Sequence, residues 1–425
     1  PRLHMSGSLV GGKDGAFLRN ASRLPIENYF VNRPEATRAK KWINKNNRYR
    51  LFCTSRFEED TIETPPTVNS GHLSDYVGAS MPGHVIDGWS YLARAVEAAL
   101  RGDSYAASHL GYYAELRAAM GLLAGEGVGI FSKWHATIDA KGVVEPFPFH
   151  AHANKKNRRR LGTHQVIWPI LHHWSGLQKA ADLLDELVRP NTMTLSQWLS
   201  GLGAAVPVRA VAKQWLRHWG LDLAALDDDH GLRNLASYRP SEFRKASSLK
   251  VDVVTDFVEQ LWLLFEPSAG RRFPNIERVL LRKAWRQSGG AALTKNTILQ
   301  FGINDAEADG WVEFLDRPQA DDPLPIRLAS ESGEIENPYC HLRIIARAAL
   351  LLFVSTSAAR RILVNASYKA SDVAFWWQRQ GEERGLWAAN AMLDPLDLWV
   401  DRAGAINDSK QWKTATPVAD QCLHS

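Results

Sequence analysis

The chain of 425 residues lacks most of the features that assign a protein to a class at sight. It has three cysteines, Cys53, Cys340 and Cys422, which lie far apart, so the sequence shows neither a disulfide framework nor a CxxC zinc site. No run of about 18 uncharged apolar residues occurs. The first residues lack the apolar core of a signal peptide. We therefore expect a cytoplasmic protein that does not span a membrane.

Familiar catalytic motifs are also missing. The sequence contains no HExxH zinc motif, no nucleophile elbow and no glycine-rich phosphate loop. We therefore expect no bound cofactor and no metal. The net charge of +5 is small for this length, so any attraction to nucleic acid must come from local clusters of charge.

Helical periodicity is the main pattern that is present. Apolar residues recur at helical spacing (i, i+3, i+4 and i+7) in six long segments, which predicts amphipathic helices. Shorter segments, among them 49–55 and 125–139, favour strands. The fold class is therefore mainly α: a multi-helix bundle with a few short strands and an additional C-terminal helical lobe. The long helices are predicted at 85–100, 105–123, 164–188, 251–265, 276–287 and 338–364.

Turn-rich segments divide the chain into three predicted domains. Residues 1–70 form an irregular, β-containing segment that ends in a turn-rich linker. Residues 71–289 form the central helical domain. Residues 290–425 form a C-terminal helical domain, and a loop around Asp321–Pro325 interrupts its weaker first part.

Positive charge is concentrated in two short segments, Arg38–Arg50 and Lys155–Arg160. Lysine and arginine interleaved with aromatic residues suit a nucleic-acid backbone with base stacking. Two solvated basic loops are the alternative interpretation. The candidate nucleic-acid-binding residues are Lys40, Lys41, Trp42, Lys45, Arg48, Arg50, Lys155, Lys156, Arg158 and Arg160.

The stretch Leu226–Pro240 carries the chemistry that we consider first. It contains the adjacent pair Arg233-Asn234, and Tyr238 follows four residues after the asparagine. A second arginine, Arg159, precedes His164 with a four-residue spacer, and Arg158 reaches the same histidine with a longer one. Structural roles are the alternative for both pairs: a helix end tied to Asp227–Asp229, and a surface arginine beside a helix cap.

These residues, together with the helical hairpin 83–123 and the Gly127-x-Gly129-Ile130-Phe131 turn, resemble bacterial HEPN proteins of the YaaC-related kind. The resemblance covers residues 72–245. It implies a bacterial protein of antiviral defence that is either a metal-independent endoribonuclease or a degenerate, non-catalytic relative. In the active enzymes of the family an arginine stabilises the phosphate and a histidine transfers a proton. In this chain a tyrosine stands where the family has its histidine. The candidate catalytic residues are Arg233, Asn234, Tyr238, Arg159 and His164.

Two other interpretations stay open. His150, His152, His172 and His173, or Asp227–Asp229 with His230, could supply metal ligands, although His172 and His173 point about 100° apart on a helix. Alternatively, the protein is a non-catalytic nucleic-acid-binding or scaffold subunit of a larger defence complex. The expected partners are nucleic acid, RNA rather than DNA, and a second copy of the chain or another defence protein, which the adjacent Trp376-Trp377 favour.

Overall fold

The computed structural model describes residues 10, 12–32, 43–147, 160–204, 223–238, 249–266, 273–289, 292–331, 339–369 and 372. Within these residues the chain forms fifteen α-helices and one small antiparallel sheet, so the mainly α fold class is confirmed. The helices are α1 Gly12–Asn20, α2 Leu24–Val31, α3 Cys53–Ile62, α4 Ser70–Leu100, α5 Ser104–Gly125, α6 Thr163–Ser175, α7 Gln178–Leu187, α8 Leu195–Gly201, α9 Leu223–Tyr238, α10 Val251–Leu264, α11 Pro274–Gln287, α12 Lys295–Leu299, α13 Asp305–Asp316, α14 Leu324–Ser330 and α15 Cys340–Asn365.

The chain divides into two compact units that are both discontinuous in sequence. The first contains the described residues within 1–89, 116–174 and 352–393. The second contains those within 90–115, 175–351 and 394–425. The long helices α4, α5 and α15 each contribute residues to both units.

The predicted hairpin of α4 and α5 is confirmed, and its turn has the expected chemistry. Gly102 adopts φ 76°, a left-handed conformation that ends the first helix at little cost. The side chain of Asp103 accepts a hydrogen bond from the Ala106 amide at 2.9 Å and caps the second helix.

The small sheet lies in the first unit and follows α5 directly. Its strands are β1 Val128–Phe131, β2 Trp134–Ile138 and β3 Val144–Pro146, in the order β1-β2-β3, and both pairs are antiparallel. Every residue of β1 and β2 is buried. The strand predicted within 125–139 is therefore present as a hairpin.

The interpretation of residues 49–55 as a strand is wrong. Residues 43–52 form turns, and α3 begins at Cys53. Cys53, Phe57 and Asp60 recur at helical spacing and are buried, whereas Leu51 and Phe52 are exposed. Aromatic and β-branched composition favours a strand only where a partner strand can pair with it, and none of the described strands pairs with this segment.

The helix predicted over 164–188 is two helices. The chain leaves the helical conformation after Ser175, and Leu177 is extended at φ −83°, ψ 153°. Gly176 lies at the break, where the high conformational freedom of glycine disfavours continuation of the helix. Pro169 lies inside α6, within its second turn.

The last described helix, α15, is long and apolar enough to cross a bilayer by length and composition. It is 26 residues long, and its most apolar window has a mean hydropathy of 1.6. However, 89% of that window is buried inside the protein. Burial in the protein interior is therefore sufficient to account for its apolar composition.

Candidate functional site

Helices α5 and α9 face each other along a line of polar and aromatic contacts in the second unit. His109 contacts Ser237, Tyr113 contacts Arg233, and Tyr112 stacks on His230. Residue numbers rise along α5 as they fall along α9, so the helices run antiparallel. Residues four apart share a helix face, which places the contacts of His109 and Tyr113 about one turn apart. The set Tyr91, His109, Tyr113, Arg233, Asn234 and Ser237 is called the α5–α9 site below.

Arg233 is the only cation of this site, and its partners are neutral. Its guanidinium donates to the Tyr113 hydroxyl at 2.6 Å and to Asn234 Oδ1 at 2.8 Å. Its Nε is buried and makes no hydrogen bond with any described residue. Among those residues no carboxylate lies within ion-pair distance of Arg233. A guanidinium held in this way keeps its full charge available for an external anion.

Tyr113 contacts Arg233 through both its hydroxyl and its ring. Its ring stacks on Tyr91 with centroids 5.4 Å apart, and the Arg233 guanidinium carbon lies 5.3 Å from the Tyr113 ring centroid. The contact combines a hydrogen bond with a cation–π interaction. Arg233 is therefore held in one orientation although it is partly exposed.

His109 provides an imidazole beside this arginine. Its Nδ1 lies 2.7 Å from Ser237 Oγ, and its ring centroid lies 5.0 Å from that of Tyr113. Partial burial, and then the positive charge of Arg233, lower the pKa of His109 below its ordinary value. The imidazole is therefore neutral at neutral pH and able to accept a proton.

A fully buried ionic group joins the same two helices to α15. Arg347 donates to both carboxylate oxygens of Asp229, through Nε at 2.7 Å and through Nη2, which is 2.5 Å from Oδ1. Its Nε is 3.7 Å from Glu115 Oε1. Burial, and then the nearby charge of Asp229, raise the pKa of Glu115 well above its ordinary value. Glu115 is therefore protonated, and the group holds a single ion pair.

The structure brings some of the sequence-predicted residues together and separates others. Arg233 and Asn234 are in direct contact. Tyr238 has a side chain 75% exposed, and none of the described contacts joins it to Arg233. A separation of five residues on a helix turns two side chains about 140° apart, whereas the four-residue separation of Arg233 and Ser237 turns them only about 40° apart.

The second predicted pair belongs to the first unit. His164 is the second residue of α6 and is partly exposed. Arg159 and Arg158 lie outside the described residues. The geometry of the Arg159–His164 pair therefore remains a prediction.

The predicted basic residues have different environments. Arg48 donates to both oxygens of the buried Asp60, so a structural ion pair neutralises its charge. Arg160 lies over Trp134, with its guanidinium carbon 3.3 Å from the ring centroid, and is 3.9 Å from Glu58. Lys45 and Arg50 are exposed. Lys40, Lys41, Trp42, Lys155, Lys156 and Arg158 lie outside the described residues.

The described residues contain no group of three or more His, Cys, Asp or Glu side chains arranged to hold a metal ion. Of the histidines considered for such a site, His172 is exposed and His173 is partly buried on α6. His150 and His152 lie outside the described part of the chain.

Sequence reasoning missed His109 and Tyr113. They lie more than 100 residues before Arg233, and no arginine near His109 in sequence draws attention to it. The spacing of four residues within a predicted helix placed both on one face. However, only the pairing of α5 with α9 reveals which residues that face meets.

Comparisons with known proteins give no relative: no family model, no curated protein and no solved structure matches this chain.

Proposed function

We propose that the protein binds RNA at the α5–α9 site and cleaves it without a metal ion. The observation that supports this most strongly is the environment of Arg233. Its guanidinium is held by two neutral oxygens, has no carboxylate partner among the described residues, and lies beside an imidazole whose pKa is lowered. In phosphodiester transesterification a neutral base accepts the proton of the 2′-hydroxyl, and a positioned cation stabilises the negative charge that develops on the phosphate.

The proposed step transfers one proton and exchanges one phosphorus–oxygen bond. The neutral imidazole of His109 takes the proton of a ribose 2′-hydroxyl, and that oxygen forms a bond to the adjacent phosphorus. The bond from phosphorus to the 5′-oxygen breaks, and this oxygen takes a proton back from the imidazolium or from water. The products are a 2′,3′-cyclic phosphate and a 5′-hydroxyl.

The other side chains of the site have positioning roles in this proposal. With Nδ1–H donating to Ser237 Oγ, the imidazole keeps its lone pair on Nε2, where a proton can be accepted. Tyr113 holds the arginine, and Tyr91 supports the ring of Tyr113. The antiviral-defence setting, which rests on the HEPN resemblance, and the cytoplasmic location expected from the sequence are part of the same proposal.

The proposal is tested with purified protein, EDTA and labelled single-stranded RNA. We expect cleavage by the wild type and a loss of about a hundredfold or more in rate for Arg233→Ala and for His109→Ala. Tyr238→Phe is the matched control on α9, because the exposed hydroxyl of Tyr238 lies outside the α5–α9 site. Absence of cleavage by the wild type, or equal cleavage by all four proteins, would overturn the proposed activity.

A specific observation also favours the non-catalytic alternative. Phe52 is 78% exposed and holds a left-handed backbone conformation at φ 60°, next to the exposed Arg50. An exposed aromatic ring beside an exposed arginine suits base stacking by single-stranded nucleic acid. In this alternative Phe52→Ala weakens RNA binding, measured by fluorescence anisotropy, whereas Arg233→Ala does not.

A further inference from the structure

A cavity of about 470 Å³ lies in the second unit, away from the residues used above. Its volume falls within the range of small-molecule sites. Helices α10, α11 and α13 and the segment 320–323 form its walls. Leu263, Leu264, Val279 and Phe314 supply the apolar lining, and Gln260, Asn275, Arg278, Asp321 and Asp322 supply the polar groups.

Positive charge is in excess along the α11 wall. Arg278, Arg282 and Arg286 recur every four residues, so they form one stripe on the helix. Lys283 lies next to the stripe. Arg282, Lys283 and Arg286 all approach a single carboxylate, Asp322, whose side chain is fully buried.

One carboxylate, that of Asp322, cannot neutralise the positive charge of Arg282, Lys283 and Arg286 together. Arg282 donates to its Oδ1, Lys283 Nζ is 3.1 Å from Oδ2, and Arg286 Nη1 is 3.9 Å from Oδ1. Three cations therefore share one negative charge. Both terminal nitrogens of Arg286 and the Nε of Arg282 are buried and make no hydrogen bond with the described residues. Buried cations of this kind are costly unless an anion compensates them.

Arg278 brings this excess of charge to the cavity itself. It lines the cavity, and its guanidinium carbon lies 4.1 Å from the Trp311 ring centroid and 4.9 Å from that of Phe314. Its Nε is buried without a hydrogen-bond partner among the described residues, none of whose carboxylates is within ion-pair distance of it. The two aromatic rings hold the guanidinium in place without neutralising its charge.

The remaining polar groups of the cavity favour a ligand that accepts hydrogen bonds. Gln260 Oε1 already accepts from the Leu324 amide at 2.7 Å, which leaves the amide NH₂ of Gln260 as a donor. Asp321 lies exposed at the rim, where solvent screens its charge. Asp322, the other carboxylate of the lining, already accepts from Arg282 and Lys283, and the Asn275 NH₂ donates to Leu263 O at 2.7 Å. Besides the Asn275 carbonyl oxygen, the groups inside the cavity that a ligand can still engage are therefore the Arg278 guanidinium and the Gln260 amide NH₂, next to an apolar surface.

We infer that this cavity binds a small organic oxyanion, a carboxylate or a phosphate ester, with its charged group on Arg278 and Gln260 and its apolar part against Leu263, Leu264 and Val279. The planar guanidinium can contact two oxygens of such a group at once. Since none of these residues belongs to the α5–α9 site, the inference does not depend on the proposed ribonuclease function.

The test is calorimetric titration of the full chain with three probes at millimolar concentration: inorganic phosphate, adenosine monophosphate and octanoate. We expect the wild type to bind adenosine monophosphate or octanoate, and to bind inorganic phosphate more weakly because it has no apolar part. Arg278→Gln should weaken binding by about ten- to a hundredfold, the value of one charged hydrogen bond.

Two further variants separate a lost site from a damaged fold. Arg101→Gln removes an arginine that is paired with Glu97 at the surface and does not line the cavity, so binding should be unchanged. Ala320→Trp fills the cavity from an exposed position and should abolish binding without unfolding the protein. The inference is overturned if no probe binds the wild type, or if Arg278→Gln and Ala320→Trp bind as the wild type does.

Discussion

The buried group of Glu115, Asp229 and Arg347 allows a sharp prediction about stability, because its three members should respond differently to substitution. Asp229 and Arg347 form an ion pair with no access to solvent. Replacing Arg347 with Met leaves the Asp229 carboxylate buried without its partner. Breaking a buried pair in this way costs about 3–5 kcal/mol of the free energy of unfolding.

Glu115→Gln should behave in the opposite way. Since burial and Asp229 raise the pKa of Glu115, its carboxyl stays protonated in the folded state to well above pH 4.5, and glutamine replaces it with a neutral group of the same shape. The unfolded chain, in contrast, releases this proton above its ordinary pKa of 4.5. The stability that Glu115 contributes is therefore present below that pH and is lost as pH rises toward the folded pKa.

The magnitude follows from proton linkage. While the pH lies between 4.5 and the folded pKa, holding one proton that the unfolded chain has released lowers the free energy of unfolding by at most about 1.4 kcal/mol per pH unit. The Glu115→Gln variant lacks this loss. It should be close to the wild type at pH 5 and more stable than the wild type at pH 7.

The assay is urea denaturation followed by tryptophan fluorescence at both pH values. Glu97→Gln is the matched control, because Glu97 is an exposed glutamate paired with Arg101 on the surface, where such pairs contribute at most about 1 kcal/mol. Destabilisation of Glu115→Gln at pH 7 by as much as Arg347→Met would refute the reasoning, since it would mean that Glu115 is ionised in the folded protein.

Three other substitutions test separate parts of the fold by the same denaturation assay. Asp60→Asn should destabilise the protein most at neutral pH. Burial alone would raise the pKa of Asp60, but hydrogen bonds from Arg48 and Tyr49 outweigh burial and lower it. The stability that the Asp60 carboxylate contributes is therefore lost only as pH falls below about 4. A wild-type-to-variant difference that stays constant down to pH 3 would contradict this. Asp322→Ala should lower the free energy of unfolding by about 3–5 kcal/mol, because it leaves the buried Arg282 and Lys283 without this carboxylate as an acceptor. A loss below about 1 kcal/mol would show that other groups compensate the two positive charges. Gly127→Ala should lower the free energy of unfolding clearly more than Gly142→Ala. Both glycines have φ near 80°, but a Cβ at Gly127 would lie 2.3 Å from Ser22 O, whereas a Cβ at Gly142 would meet no atom within 4 Å. Equal losses of stability would refute this packing argument.

Local sequence patterns were sufficient to predict much of the fold. The helices α4, α5, α10, α11 and α15 all carry apolar residues at helical spacing, and Gly102 with Asp103 marks the turn of the hairpin. Each of these signals acts within a few residues. For the same reason the strand interpretation of 49–55 is wrong: its β-prone composition is a local feature, whereas formation of a strand depends on a partner strand elsewhere in the chain.

The candidate site could be predicted only in part. Arg233 and Asn234 are adjacent in sequence, and their contact is local. The imidazole beside Arg233 and Asn234 belongs to His109, which precedes its contact Ser237 by 128 positions in sequence. Only the antiparallel pairing of α5 with α9 brings the two helix faces together. Likewise, the sequence shows Arg278, Arg282 and Arg286 as a helical stripe but does not show that they share one buried carboxylate.

The central claim, a metal-independent transesterification at the α5–α9 site, is tested most directly by the chemistry of the substrate. The wild-type protein is incubated in EDTA with an RNA and with the same RNA carrying a single 2′-deoxy residue at the main cleavage position. We expect cleavage of the first RNA to a 2′,3′-cyclic phosphate, no cleavage of the second RNA at that position, and cleavage of the first RNA by His109→Ala that is about a hundredfold or more slower. Cleavage of the 2′-deoxy position, or a product without the cyclic phosphate, would contradict the account.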